Sequence, residues 1–264
     1  MVEYRNRHSI NSNMDYSDNF FEADSIQLKY LTAGKGRPLL FLHGGGVNAL
    51  TYKKNLELLS RKYHIIAPDI PCFGKSSIPN KLWDFKDYAT FFSKFIATLS
   101  LDNIILVGHS FGGGIALNLA LQNKKITKLI LLDSAGIPPS YSALKMVSLL
   151  VIKTFRGLLL FENKLISLIL LRDFATQLFR NFFSIHKIYR IVTNSFFREY
   201  DAFNKISQPT YIFWGNSDEI FSKNIAQKMN QLISNSRLEF VDGNHDWCLL
   251  MPQKLYNLIC KVAP

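Results

Sequence analysis

Cysteine is scarce in this chain. There are three, Cys72, Cys248 and Cys260, an odd number set far apart with no CxxC pair among them. That pattern argues against a disulfide framework and predicts free thiols in a reducing compartment. No secretory leader is expected either: the opening MVEYRNRHSINSNMDYSDNF is polar and holds no apolar core segment. No apolar run reaches the length of a bilayer span, and there are no internal repeats or low-complexity tracts. Acidic residues are outnumbered, 20 against 31 basic, for a formal charge of +11. The plain reading of that excess is dispersed surface lysine; the sharper one is attraction to anionic lipid or nucleic acid. No nucleic-acid module pattern and no long basic block is visible, so a nucleic-acid partner is set aside. The location expected from these absences is cytoplasmic, with peripheral membrane contact left open.

What is present is bulk. With 264 residues, 48% of them hydrophobic, the chain suits one α/β domain with a large core and an insertion. "IQLKYLTAG" alternates apolar and polar residues, as a half-buried strand does. "RPLLFLHGGG" and "HIIAPDI" are short apolar runs that fit strands buried on both faces. Helical spacing marks "LTYKKNLELLSRKY" and "FKDYATFFSKFIATLS". Strand 103–108, helix 111–122 and strand "ITKLILLDS" follow, and later strand "PTYIFWG", helix "NIAQKMNQLI", strand "SRLEFVDG" and helix "PQKLYNLICKV". Alternation of this kind predicts a mostly parallel central sheet with helices on both faces and functional loops at the carboxyl ends of its strands. From about 138 to 203 the alternation breaks into helical patterns. The expected organisation is therefore a core of 1–137 and 204–264 with a helical lid at 138–203.

One corner carries the chemistry. In "NIILVGHSFGGGIALNLALQ" an apolar strand stops on Gly108-His109-Ser110-Phe111-Gly112, a G-x-S-x-G pattern, and a helix begins. A serine on so tight a turn needs small neighbours. It gains an exposed hydroxyl at a helix start, where free N–H groups favour negative charge. A serine needs a base. His8 lies in the polar opening, His64 starts a strand, and His186 lies in the insertion. His43 suits a structural turn bond, and His109 should point away from Ser110. His245, in "VDGNHDW" after the last strand, is the expected base. Asp218, in "FWGNSDEIF", is the expected acid that orients it, with a helix N-cap as the plainer alternative. Asp133 is the reserve acid, Glu219 is expected to face elsewhere, and Asp246 is too close to His245 in sequence. The oxyanion requires two N–H donors. These are expected from Phe111 and from the glycines after His43, Gly45 before Gly44.

With these pieces in chain order, the sequence resembles the α/β-hydrolase-fold enzymes of the single-domain, lidded, esterase- or lipase-like kind. The matching segments are "LLFLHGGG", "APDIPCFGKSS", "VGHSFGGGIALNLA", "LILLDSAG", "YIFWGNSDEIF" and "VDGNHDW", from about residue 20 onward. The resemblance implies Ser110 as nucleophile, His245 as base, Asp218 as acid, an oxyanion hole of Phe111 and Gly45 amides, and no cofactor or metal. It implies a lid inserted after the sixth strand. Two positions depart from the family pattern: Cys72 stands at a turn glycine, and Asn244 replaces a glycine before the base. A serine nucleophile argues against the epoxide hydrolase and haloalkane dehalogenase branches, which use aspartate there.

The insertion is apolar and cationic. "LKMVSLLVIKTFRGLLLFENKLISLILL" is interrupted by Lys153, Arg156, Glu162 and Lys164, and nine basic against four acidic residues over 141–203 leave +5. Such a profile is compatible with docking on an anionic membrane. The reading preferred from sequence is a lid packed on the core and an acyl pocket. The expected activity is cleavage of a carboxylic ester of a hydrophobic small molecule or lipid. Amide or C–C bond hydrolysis on the same triad, and a non-enzymatic small-ligand sensor, are the alternatives.

Overall fold

A computed structural model of the chain describes residues 16–142, 145–146, 148–149, 152, 164–196 and 202–264. The strands are β1 (Ser17–Ala23), β2 (Ile26–Ala33), β3 (Pro38–Leu42), β4 (His64–Pro68), β5 (Ile104–His109), β6 (Ile126–Leu132), β7 (Thr210–Gly215) and β8 (Ser236–Val241). They form one eight-stranded sheet in the order β1-β2-β4-β3-β5-β6-β7-β8. β1 pairs β2, and β2 pairs β4, antiparallel; from β4 to β8 every pairing is parallel. The fold class expected from the alternation of strands and helices is the one observed.

The helices are α1 (Lys53–Leu59), α2 (Phe85–Thr98), α3 (Phe111–Gln122), α4 (Lys164–Arg180), α5 (Ile185–Phe196), α6 (Lys223–Leu232), α7 (Trp247–Leu250) and α8 (Pro252–Val262). Apolar side chains of β3 to β7 point alternately to two cores. One holds Phe85, Phe92 and Phe95 of α2, Ile115 and Leu119 of α3, and Met229 of α6. The other holds Leu56 and Leu59 of α1 with Leu255 and Ile259 of α8. Burial on both faces explains why β3, β4 and β5 read as continuous apolar runs.

β1 is an element that the polar look of the opening hides. Its segment SDNFFEA buries one residue, Phe21, at the sheet edge. The hairpin to β2 turns on Asp24 and Ser25, both at positive φ (51° and 61°), as a two-residue primed turn requires. Upstream of α1, residues Ala49–Tyr52 wind as a 3₁₀ turn capped by the Asn48 side chain. Between β6 and β7 the described residues supply α4, a 3₁₀ turn at Phe182–Ser184, and α5. The part of the long apolar stretch at 153–163 lies outside the described residues.

Candidate active site

The serine corner is strained as the sequence demands. Ser110 has φ 50° and ψ −117°, between β5 and α3. A non-glycine residue held there costs about 1–3 kcal/mol, which the surroundings must offset. The turn is clamped: Ser110 N–H donates to Leu132 O (3.0 Å), and Ser110 O accepts from Gly113 and Ala135 (2.9 Å each). The two glycines are there for room. A Cβ on Gly108 would sit 2.6 Å from Gly112 O, and one on Gly112 would press on the carbonyls of Leu42 and His43.

The three residues singled out from sequence meet. Ser110 Oγ lies 3.0 Å from His245 Nε2, and His245 Nδ1 lies 2.9 Å from Asp218 Oδ2. All three side chains are buried. Each stands on a loop at the carboxyl end of a strand, β5, β7 or β8, where parallel neighbours place such loops together. Asp218 also answers to its plainer reading. Its Oδ1 accepts from the amides of Ile220 (2.8 Å) and Phe221 (2.9 Å), while Oδ2 faces the imidazole. Burial works to raise this carboxyl, but the charge and hydrogen bond of His245 and the two amides outweigh it and hold it below the usual range.

Behind Asp218 stands Asp133, fully buried at the end of β6. Its Oδ1 accepts from Gly215 N (2.7 Å) and its Oδ2 from the Trp247 indole (2.6 Å). Burial, and then the charge of Asp218 beside it, push the Asp133 carboxyl well above the usual range. The reserve acid thus faces the acid rather than the base. Asp133, Asp218 and His245 bring ligand atoms within 4.8 Å of one another. Those atoms are already matched with N–H and O–H donors, which a cation would have to displace.

Two corrections concern neighbours. Glu219 does not turn away: its carboxylate accepts from the His245 backbone amide (3.3 Å). Asn244 needs no unusual backbone angle, since Gly243 takes the positive φ of 142° and Asn244 instead caps the following turn through Asp246 N. Cys72 does occupy a left-handed conformation, φ 85°, in the position where the family pattern has glycine. Burial pushes its thiol up to about 11.

His109 and Tyr52 carry a link that sequence reading missed. His109 Nε2 lies 3.0 Å from His245 O, so that nitrogen holds the proton and Nδ1 accepts from Tyr52 Oη at 2.6 Å. Tyr52 Oη in turn accepts from Gly44 N–H (3.2 Å). A buried chain therefore ties the glycine loop after β3 to the backbone of the base. It also spends the Gly44 amide, which narrows the expected oxyanion donors to Gly45 and Phe111. Those two adjoin: a Cβ on Gly45 would lie 3.5 Å from Phe111 Cβ. His43 holds the same loop, with Nδ1–H on Gly44 O (2.6 Å) and Nε2 accepting from Ile70 N (2.8 Å). Burial lowers His43 and keeps it neutral for both bonds.

The surroundings are aromatic. Phe111 stacks edge-on with Phe73 and Phe85 and lies 5.4 Å from Phe196 of α5. Phe221 lies 5.5 Å from the His245 ring and 5.9 Å from Phe196. α4 covers the glycine loop: the Phe174 ring lies 3.8 Å from where a side chain on Gly46 would begin. Asp173 accepts from the Thr51 hydroxyl at 2.7 Å, and Arg180 donates to Gly74 O at 2.6 Å.

Known proteins share this frame. A family model described as the alpha/beta hydrolase fold matches residues 37–153. A 2-hydroxy-6-oxo-6-(2'-aminophenyl)hexa-2,4-dienoic acid hydrolase of Metapseudomonas resinovorans is 32% identical over 127 residues, 46% of this chain and 44% of that protein. A soluble epoxide hydrolase of Corynebacterium is 31% identical over 111 residues, 42% of this chain and 39% of its own. The matched stretches thus span less than half the length of these curated relatives. An esterase from Exiguobacterium antarcticum superposes with a TM-score of 0.71 at 24% identity, covering 92% of this chain and 98% of that one. The chain has the α/β-hydrolase fold. The family match carries the serine corner and the glycine loop; Asp218 and His245 lie beyond it and are known by their geometry.

Proposed function

We propose that the protein is a serine hydrolase that cleaves a carboxylic ester of a hydrophobic small molecule or lipid. The observation that carries this reading is the continuous relay from Ser110 Oγ through His245 to Asp218, on a strained corner where Gly45 adjoins Phe111. Ser110 Oγ attacks the ester carbonyl while His245 Nε2 takes its proton. Asp218 stabilises the imidazolium at Nδ1. The amides of Phe111 and Gly45 hold the oxyanion. His245 then gives its proton to the leaving alcohol, and next takes one from the water that hydrolyses the acyl-enzyme. Asp133, its carboxyl pushed up by burial and by the charge of Asp218, stands behind the acid without entering the reaction.

The hydrophobic character of the substrate rests on the rings of Phe73, Phe111, Phe196 and Phe221 around the serine. Residues 138–203 serve as a lid on a core of 1–137 and 204–264, with α4 and α5 as its inner wall. A carbon–carbon hydrolase is the second reading, favoured by the name of the Metapseudomonas relative. The aromatic rings around the serine suit an ester of a hydrophobic group, so the ester reading is preferred. The epoxide hydrolase likeness is not followed, because Ser110 stands where that branch has aspartate.

The test is turnover of p-nitrophenyl esters from acetate to palmitate, wild type beside Ser110→Ala. Wild-type turnover that falls by about 10⁴-fold or more in the variant supports the reading. Turnover undiminished by the substitution, or none on any ester, removes it.

A further inference from the structure

Large apolar side chains on this protein's surface are not spread evenly. Phe20, Leu50, Leu82 and Leu232 are scattered singly and half-exposed, which is ordinary for a protein surface. The end of α4, the turn after it and the start of α5 differ. Phe179 is 87% exposed, Phe182 69% and Phe183 100%, and Leu178, Ile185 and Tyr189 flank them. Phe182 and Phe183 touch only edge to face, with ring centres 5.5 Å apart. Apolar side chains gathered in this way mark a contact surface.

Among the described residues of α4 and α5, the exposed charge has one sign. Residues 164–196 contain five cations, Lys164, Arg172, Arg180, Lys187 and Arg190, and a single carboxylate, Asp173. That carboxylate faces inward, 5% exposed, and is taken by Arg172 (2.6 Å) and Thr51. Among the described residues of the tip, the exposed Arg180 and Arg190 and the partly exposed Lys187 accompany the phenyl rings, with no exposed carboxylate of α4 or α5 beside them.

We propose that the α4–α5 tip is a docking surface for an anionic lipid bilayer. Rings that project fully into solvent fit a fluid headgroup boundary, which accepts them without a shaped socket. The cations beside them meet the negative surface potential of acidic lipids. The inner side of the same two helices covers the glycine loop through Phe174 and packs on Phe111 through Phe196. The docked face is thus the outside of the wall that covers the serine, and an ester dissolved in the bilayer would reach the site from there. That last step rests on the proposed hydrolase reading; docking itself does not.

The test is co-sedimentation of the full chain with vesicles of phosphatidylglycerol mixed with phosphatidylcholine, beside phosphatidylcholine alone. Binding to the anionic vesicles that weakens with added salt is expected. The partition constant should fall at least about tenfold in the triple variant Phe179→Ser, Phe182→Ser, Phe183→Ser, and also in Lys187→Gln with Arg190→Gln. Melting curves and turnover of a short soluble ester should match wild type, which shows that the variants fold. Wild type left in the supernatant, equal binding to both vesicle types, or a triple variant that binds as wild type does would each overturn the proposal. So would light scattering that finds a lipid-free dimer dissolved by the triple variant, since the rings would then serve a second copy of the chain. Sedimentation needs no turnover, so loss of the esterase reading and loss of docking give separate results.

Discussion

Asp133 is the residue whose neighbours constrain it most. It accepts two N–H groups, and titrates well above the usual carboxylate range because it is buried beside another acid. A raised native value means that the folded chain keeps a proton which the unfolded chain releases above about pH 4. The stabilising contribution of this carboxyl is therefore complete below that pH and weakens as pH rises. Asp133→Asn does not titrate, but it leaves the Trp247 indole without its acceptor, at a cost of about 1–3 kcal/mol. Urea unfolding at pH 4, 6 and 8 should show wild type more stable at the acid end and the gap narrowing toward pH 8. A gap that widens with pH would show that Asp133 ionises in the native protein. Tyr52 offers a second residue-scale test. Tyr52→Phe strips a partner from both Gly44 N–H and His109 Nδ1. Ester turnover should fall about tenfold in kcat with KM little changed, because the loop and the base backbone lose their common anchor. An unchanged kcat would show that His43 holds the loop alone. Ser110, His245 and Asp218 were legible in the sequence because each ends a recognisable strand. Tyr52 was not: its role exists only because β3, β5 and the last loop converge, 57 residues from His109 along the chain.

At the scale of elements, the approach of α3 to β3 is set by Gly112. A methyl there would meet the carbonyls of Leu42 and His43, so Gly112→Ala should cost about 2–3 kcal/mol and shift the corner that carries Ser110. Chemical denaturation measures the first effect and ester turnover the second; neither changing would show that the helix slides freely. The turn after β4 reads differently. Cys72 sits at φ 85°, where a side chain is strained and glycine is not. Cys72→Gly should exceed Cys72→Ala in stability by about 1 kcal/mol, with turnover equal in both. Parallel strands β3 to β7 could be read from composition because both faces of the sheet are covered. β1 could not: an edge strand with one buried residue leaves no alternation to find. α4 and α5 were expected only as helical pattern, since their outward rings and inward contacts follow different faces of the same turn-rich stretch.

Across the whole molecule, the parallel sheet is what gathers residues from four distant segments into one site. β3 brings the glycine loop, β5 the serine, β7 the acid and β8 the base, each at a carboxyl end. Among the described residues no helix is long and apolar enough to cross a membrane. Contact with lipid would instead fall to the exposed, cationic tip between α4 and α5. Both the sheet and the tip serve the same proposed chemistry, a covalent acyl-serine formed behind an aromatic wall. The measurement that tests this most directly is labelling with a p-nitrophenyl alkylphosphonate, read by intact mass and peptide mapping. The expected result is one phosphonyl group per chain, on Ser110, with labelling slowed at least about a hundredfold in His245→Ala. A label on another residue, or an unlabelled Ser110 in protein that still turns over esters, would contradict it.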